Sequence, residues 1–289
     1  MTEAEFLTLL RALPLHPGAL DLRDDAARIG DLVFTTDLIA EGTHFLPTDP
    51  PADIAWKLVA VNLSDLAAKG AMPEGILLGY PLGDDAWDRA FLGGLREAST
   101  AFACPLLGGD TVRATGPRTF ALTAIGRAAI SPTRSGAQPG DGLWVTGTIG
   151  DAGIGLAIAR GDDGPADLLA RYRRPVPRLA EGRALAAQVS AMMDVSDGLL
   201  IDAARMADAS GCAVTVDLAA IPLSPRHPGD RRAAATAGDD YELLFALPAG
   251  QAPVVPATRV GGFAPGRGIT VTENGHPASL PDRLGYQHG

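Results

Sequence analysis

Lysine is nearly missing from this chain: Lys57 and Lys69 are the only two among 289 residues, and the formal net charge is −10. Without a basic stripe the chain has nothing to neutralise a nucleic-acid backbone or an anionic membrane surface. Neither is an expected partner. Cysteine is just as scarce, since Cys104 and Cys212 stand far apart without metal-type spacing. That excludes a disulfide framework and suits a reducing compartment. No apolar run approaches the ~20 residues of a membrane span. The N-terminus reads as an amphipathic helix with a capping box from Thr2 to Glu5, not as a basic leader with an apolar core. A cytoplasmic protein is expected.

Several nucleotide and metal signatures are absent as well. There is no G-x-x-x-x-G-K-[ST] loop, because neither lysine follows a glycine-rich turn, and no catalytic-loop Asp is paired with a D-F-G. The five histidines are scattered, so no zinc site is formed from them. An acidic protein that handled phosphates would therefore need metal cations between its carboxylates and the substrate.

What is present describes a globular chain with many tight connections: 46% hydrophobic residues, 35 Gly and 23 Pro. The length allows one large domain or two ordinary ones, and two are expected. Short apolar runs at 20–25 and 32–37 read as strands ending in carboxylates, and 52–69 as a helix stopped by Gly70. Strands at 75–80, 105–107 and 119–125 and a helix at 84–102 complete a mixed first half. The Pro- and Gly-rich stretch 131–142 marks the boundary, placed at 137, giving units 1–137 and 138–289. The second half opens with a strand at 143–146, a glycine-rich turn at 147–153 and a helix to Arg160. A similar strand, turn and helix follow at 192–209, with strands at 213–216, 242–247 and 269–271. The glycine-rich turn has two readings: a phosphate cradle of backbone N–H groups, or a tight strand-to-helix turn.

Aspartates recur at the ends of these elements, in Asp24-Asp25, Thr36-Asp37, Asn62-Leu63-Ser64-Asp65, Gly108-Gly109-Asp110-Thr111 and Asp194-Val195-Ser196-Asp197-Gly198. Taken singly, each is explained by the preference of Asp for caps and turns. As a converging set they are what a hard cation and a polyphosphate require. Asp65 is the most informative, for it interrupts the apolar pattern of a helix that propensity alone would not give an Asp.

These strings resemble thiamine-monophosphate kinases of the aminoimidazole-ribonucleotide synthetase superfamily in identity, order and spacing. The match runs through DDAA (24–27), TTDLIAEGTHF (35–45), NLSDLAA (62–68), GGDT (108–111), TRSGAQPGD (133–141), VTGTIGD (145–151), DVSDGL (194–199) and DYEL (240–243). The resemblance implies an α/β (α+β) fold of two domains: an N-terminal mixed-sheet domain that pairs in a homodimer, and a C-terminal α/β domain that closes the active site. It implies direct, Mg²⁺-assisted in-line transfer of the γ-phosphate of ATP to thiamine monophosphate, with several Mg²⁺ ions and no covalent or obligatory base residue. Carried over residue by residue, Asp25, Thr36, Asp37, Asp65, Asp110, Asp194 and Asp197 correspond to metal ligands. Gly109, Asp110, Arg134 and Ser196 correspond to ATP contacts, and His44, Asp239 and Tyr286 to acceptor contacts. His44 is cast as a binding residue, because a phosphate monoester with a second pKa near ~6 is already largely ionised at neutral pH. The chain departs from the family's pattern at Arg23, where Gly is usual, at Asp239, where Glu is usual, and in its thinned aromatic end at 285–289. Asp239 has a second reading as the cap of a turn before the strand at Glu242. Rival functions are another ATP-using member of the superfamily with a different acceptor, such as a selenophosphate synthetase-like enzyme, a metal-dependent phosphatase, and a catalytically dead dimer.

Overall fold

The computed structural model describes residues 1–287 and forms two mixed sheets with one helix wedged between them. In chain order the elements are α1 (Glu3–Leu10), β1 (Ala27–Ile29), β2 (Leu32–Ala40), α2 (Pro51–Ala68), β3 (Met72–Leu82), α3 (Asp85–Ala101), β4 (Leu106–Arg113) and β5 (Thr119–Arg127). The second half contains β6 (Gly142–Thr146), α4 (Asp151–Ala159), α5 (Ala166–Arg173), α6 (Leu179–Leu185), β7 (Ala191–Asp194), α7 (Leu199–Ser210) and β8 (Ala213–Asp217). It ends with α8 (Arg231–Thr236), β9 (Leu243–Leu247), β10 (Ala257–Ala264), β11 (Gly268–Glu273) and β12 (His276–Ala278).

The first sheet has the order β1-β2-β5-β3-β4 and is antiparallel except for β3 beside β4. The second, β12-β11-β8-β10-β6-β9-β7, is antiparallel except for β8 beside β11. The α+β character expected from the sequence is what the chain adopts. Strand alternation sorts the first sheet into two faces. Val33, Ile39, Leu78, Phe120, Leu122 and Ala124 point into a core capped by α2 and α3. On the opposite face Leu38 and Leu77 of the same strands remain exposed.

Between Ile54 and Ala68 only Trp56 and Asp65 of α2 escape full burial. A helix this apolar all round must be covered on every side. The first sheet covers one side, while Ala67 and Ala68 pack with Met192, Leu243 and Phe245 of the second. Residues 131–141 connect the two halves, and Ala137 packs in the core of the second sheet.

The strand expected at 20–25 is not formed. Pro17–Leu22 is a 3₁₀ turn in which Leu20, Asp21 and Leu22 have φ of 51°, 55° and 53°. The Arg11 guanidinium donates to the carbonyls of Asp21 and Leu22, each at 3.0 Å, satisfying groups that a strand would have paired. Pro17-Gly18 is the turn signal behind this. Asp24 and Asp25 thus sit on a bend before β1 instead of at a strand end.

Candidate active site

Helix α2 organises a cleft of about 1030 Å³ between the halves. Its Asn62 is fully buried and uses its side-chain oxygen to accept the Asp37 backbone N–H at 3.0 Å, fixing β2 at the level of that carboxylate. Ser64 donates to Asp194 at the end of β7 at 2.6 Å, joining the halves, and Thr35 of β2 donates to Asp65. The Asn-Leu-Ser-Asp string thereby ties α2 to β2 twice, through Asn62 and Asp65, and to β7 once, through Ser64.

Twelve predicted site residues or their neighbours line this cleft: Asp24, Asp25, Thr36, Asp37, His44, Asp65, Arg134, Asp194, Ser196, Asp197, Asp239 and Tyr286. Two predicted residues do not. Gly109 and Asp110 lie on β4, at the far edge of the sheet, where Asp110 is aligned through Gly79 and Ala121 with Leu38. Three strand spacings put Asp110 roughly 14 Å from the Asp37 strand, on the outer face. Gly109 has a reason of its own to be glycine: its φ is +153° and a Cβ there would come within 1.9 Å of the Leu78 carbonyl oxygen.

The carboxylates of the cleft fall into two electrostatic groups. Asp24 and Asp25 surround the Lys69 ammonium at 2.5 and 2.8 Å, with Lys69 only 1% exposed, and Arg134 donates to Asp25. Burial acts against the Asp25 charge, but Lys69 and Arg134 overcome it and hold its carboxyl far below the usual range. Asp37, Asp65 and Asp194 have no such cation. Burial first, then the charges of Asp25 and Asp197, push Asp37 up to about 6. Burial, then the Asp25 charge, push Asp194 up to about 8 against the opposing Ser64 hydrogen bond. Asp65 is raised well above the usual range by burial and by Asp37, Asp194 and Asp25, with Thr35 opposing. Three neighbouring carboxylates therefore resist ionisation until positive charge arrives.

The loop at 194–198 is shaped by a residue that sequence reasoning missed. Asp202, fully buried one turn into α7, accepts the backbone N–H groups of Ser196, Asp197 and Gly198 at 3.1, 3.1 and 3.2 Å. Arg205 joins Asp202 and Asp197 at 2.9 and 2.5 Å. The only signal was its place, four residues beyond Gly198. The loop at 237–241 runs alongside, its Asp239 N–H donating to the Ser196 carbonyl at 2.8 Å. A Cβ on Gly238 would come within 2.6 Å of that carbonyl, so the two loops meet only because residue 238 has no side chain.

The residues expected to contact the acceptor also line this cleft. His44 uses Nδ1 to accept the Ala40 N–H at 3.1 Å, and the Tyr286 N–H is anchored on the Asp197 carbonyl at 2.9 Å. The Asp239 carboxylate does not cap a turn: it pairs with Lys57 at 2.8 Å and accepts from the Tyr241 hydroxyl at 3.0 Å. In the glycine-rich turn the N–H groups of Gly150 and Ala152 donate to the Asp240 carboxylate at 2.7 and 3.3 Å, which favours the reading of a tight strand-to-helix turn, while Ala152 and Gly153 line the cleft. Both lysines were missed as site residues. Their signal was present: in an almost lysine-free chain, both belong to the helix that carries Asp65, Lys57 eight residues before it and Lys69 four after it, at the helix C-cap.

Two domain families match the chain: AIR synthase related protein, N-terminal domain, over residues 23–128, and AIR synthase related protein, C-terminal domain, over residues 138–287. The thiamine-monophosphate kinase of Caulobacter vibrioides is 42% identical, covering 97% of this chain and 89% of that protein. The thiamine-monophosphate kinase of Escherichia coli K12 is 39% identical, with 93% and 91% covered. Among solved structures, AaThiL complexed with AMPPCP and TMP superposes with a TM-score of 0.86 at 27% identity, covering 100% of this chain and 97% of that one. The thiamine-monophosphate kinase from Stenotrophomonas maltophilia K279a gives 0.78 at 36% identity, with 95% of each chain covered. The hydrogenase maturation protein HypE in complex with ATP, at 21% identity and a TM-score of 0.73, shares the fold.

Proposed function

The chain belongs to the thiamine-monophosphate kinase family of AIR synthase related proteins, and on that premise we propose how its own residues carry the ATP-dependent phosphorylation of thiamine monophosphate to thiamine diphosphate. The observation that carries the reading is one cleft whose lining brings together three uncompensated carboxylates, Asp37, Asp65 and Asp194, with Arg134, His44 and Asp239.

Donor and acceptor are both phosphates, so charge repulsion is the main obstacle to an in-line approach. Magnesium, when bound, supplies positive charge between carboxylates and phosphate oxygens and aligns them. The donor set fits that ion: it is all oxygen, and its charges are unbalanced by protein cations. Among the described residues no three His, Cys, Asp or Glu close into a ready cage. Mg²⁺ takes one or two carboxylates together with water and phosphate instead of an all-protein cage, so an open arrangement is the appropriate one. Asp37, Asp65 and Asp194 are assigned to the metals first. Asp25 and Asp197 join them when Arg134 and Arg205 release oxygens they now hold, and Thr36 stands at the rim.

Arg134 and Ser196 are assigned to ATP. The Arg134 Nε is buried without a hydrogen-bond partner, an unmatched donor beside the cleft that a phosphate oxygen would satisfy. His44, Asp239 and Tyr286 are assigned to the acceptor. Nothing in this reading requires a covalent intermediate or a base.

Gly109 and Asp110 need a second copy. The outer face of the first sheet exposes Leu38, Leu77 and Val112, with Leu106 and Leu107 along the β4 edge. An exposed sheet face with this many large apolar side chains favours a partner, and we assign it to a homodimer in which Asp110 reaches the nucleotide site. The division into units 1–137 and 138–289 and a cytoplasmic location belong to the same reading, which the two buried free thiols Cys104 and Cys212 suit.

Isothermal calorimetry with a non-hydrolysable ATP analogue tests the metal assignment. Binding should weaken at least about tenfold in excess chelator, as loss of a charge-assisted contact implies. Equal affinity with and without Mg²⁺ would refute it.

A further inference from the structure

Lys57, Val61 and Asp65 of α2 and Lys69 at its C-cap recur every four residues and so follow one ridge of the helix. The ridge runs about 18 Å at 1.5 Å per residue. Lys69 closes one end on Asp24 and Asp25, and Asp65 stands in the middle with the metal-seeking carboxylates. Lys57 closes the other end, and no step of the reaction as described above uses it.

The Lys57 side chain is 3% exposed. Its ammonium donates to the His44 carbonyl at 2.9 Å and to Asp239 Oδ2 at 2.8 Å, and it lies 4.1 Å from the centre of the Tyr172 ring. That ring is held in turn, since the Tyr172 hydroxyl donates to Asp49 at 2.9 Å. A buried ammonium is costly unless its directions are filled, and here a carboxylate, a carbonyl and an aromatic face fill them.

Two further facts separate this pair from an ordinary structural one. The hydrogen-bonded partners come from different halves of the chain, 13 and 182 residues away, and both His44 and Asp239 line the cleft. Lys57 itself does not line it. The ammonium therefore stands behind the wall and ties together two segments that form it. Asp239 also has φ of +69°, a backbone region that side chains seldom enter, so its loop needs an external hold.

We infer that Lys57 is a positioning residue that sets the spacing of the thiamine-phosphate end of the cleft, acting through Asp239 and the His44 turn and not by touching the acceptor. The inference rests on the kinase reading and on His44 and Asp239 facing the acceptor. It also revises what Asp239 offers. With one oxygen on Lys57 and the other on Tyr241, its charge is compensated. Its part is to shape the pocket, not to offer a free charge to the acceptor.

The test is steady-state kinetics of the full-length protein, with thiamine monophosphate and ATP varied in turn, for wild type, Lys57→Met, Lys57→Arg, Asp239→Asn and the Lys57→Met/Asp239→Asn double variant. A lost charged hydrogen bond predicts a rise of about tenfold in KM for thiamine monophosphate in Lys57→Met. KM for ATP and the affinity for the Mg²⁺ nucleotide should stay within about twofold, and Lys57→Arg should recover part of the loss, because a guanidinium can donate to both acceptors. Asp239→Asn keeps the side-chain shape and should show the same acceptor-specific rise. The double variant should match the single ones within about twofold, because both act through one contact. If Lys57→Met does not fold, the Asp239→Asn and Lys57→Arg results decide: an unmoved acceptor KM in both overturns the inference. A lowered melting temperature with unmoved KM, or a fall in kcat alone, overturns it as well. Wild-type protein that forms no thiamine diphosphate would instead remove the kinase reading, and the inference with it.

Discussion

Replacing Asp37 by Asn should stabilise the metal-free protein while removing its activity. The Asp37 backbone is held by Asn62, but no described residue hydrogen-bonds its carboxylate, and burial with the charges of Asp25 and Asp197 raises its pKa from 3.8 to about 6. The folded state thus binds a proton that the unfolded chain has already released. For a carboxylate shifted upward the penalty is absent below pH ~4, grows as the pH rises toward 6 and is constant above, so folding stability falls across that window. Two pKa units correspond to about 3 kcal/mol. Asp37 is only half-buried and shares its repulsion with neighbours, so about 1–2 kcal/mol is the expected share. Asn keeps the shape without the charge. At pH 7.5 in chelator its melting temperature should exceed wild type by about 2–4 °C, and the difference should nearly vanish by pH ~3.5, below both pKa values. Activity with Mg²⁺ should drop by at least about 10²-fold, since several kcal/mol of charge compensation is lost. A variant that is less stable than wild type at pH 7.5, or equally shifted at both pH values, would refute the unbalanced-charge argument. Wild-type turnover would refute the assignment of Asp37 to the metal.

Three further outcomes follow from the same geometry. Because Asp37 and Asp194 titrate near 6 and 8, protons compete with metal, and Mg²⁺-dependent nucleotide binding measured by calorimetry should tighten from pH 6 to 8.5; a flat profile would contradict this. Lys69→Met leaves Asp24 and Asp25 buried without their ammonium and should cost about 3–5 kcal/mol in denaturant unfolding, whereas a cost below about 1 kcal/mol would place that pair in water. Sedimentation should give a dimer for wild type and a 29.7 kDa species for Leu77→Asp on the outer sheet face, and a monomeric wild type would remove the homodimer.

Period and punctuation made the two-domain, mixed α and β architecture readable, as α2, α3, β2, β5 and the strand–turn–helix around Asp194 show. The first strand was misread because the apolar spacing of Leu20 and Leu22 resembles a strand, while the fate of their carbonyls depends on Arg11, a tertiary contact. The short helices α5, α6 and α8 escaped notice because six to eight residues carry too little period. Strand β10 was hidden by Gly261 and Gly262, and the bulge between Arg259 and Gly261 breaks its alternation. In the site, the motifs themselves pointed to the carboxylates. Which of them would be paired with protein cations was not legible, because Lys69 and Arg134 reach Asp25 from 44 and 109 residues away.

The central claim is that the cleft moves the γ-phosphate of ATP onto thiamine monophosphate directly. It is tested by incubating the protein with γ-labelled ATP, Mg²⁺ and thiamine monophosphate, and following the label. The label should appear in the terminal phosphate of thiamine diphosphate, in an amount equal to the ADP formed, and should do so only when metal is present. Label released as inorganic phosphate with no thiamine diphosphate would contradict the account.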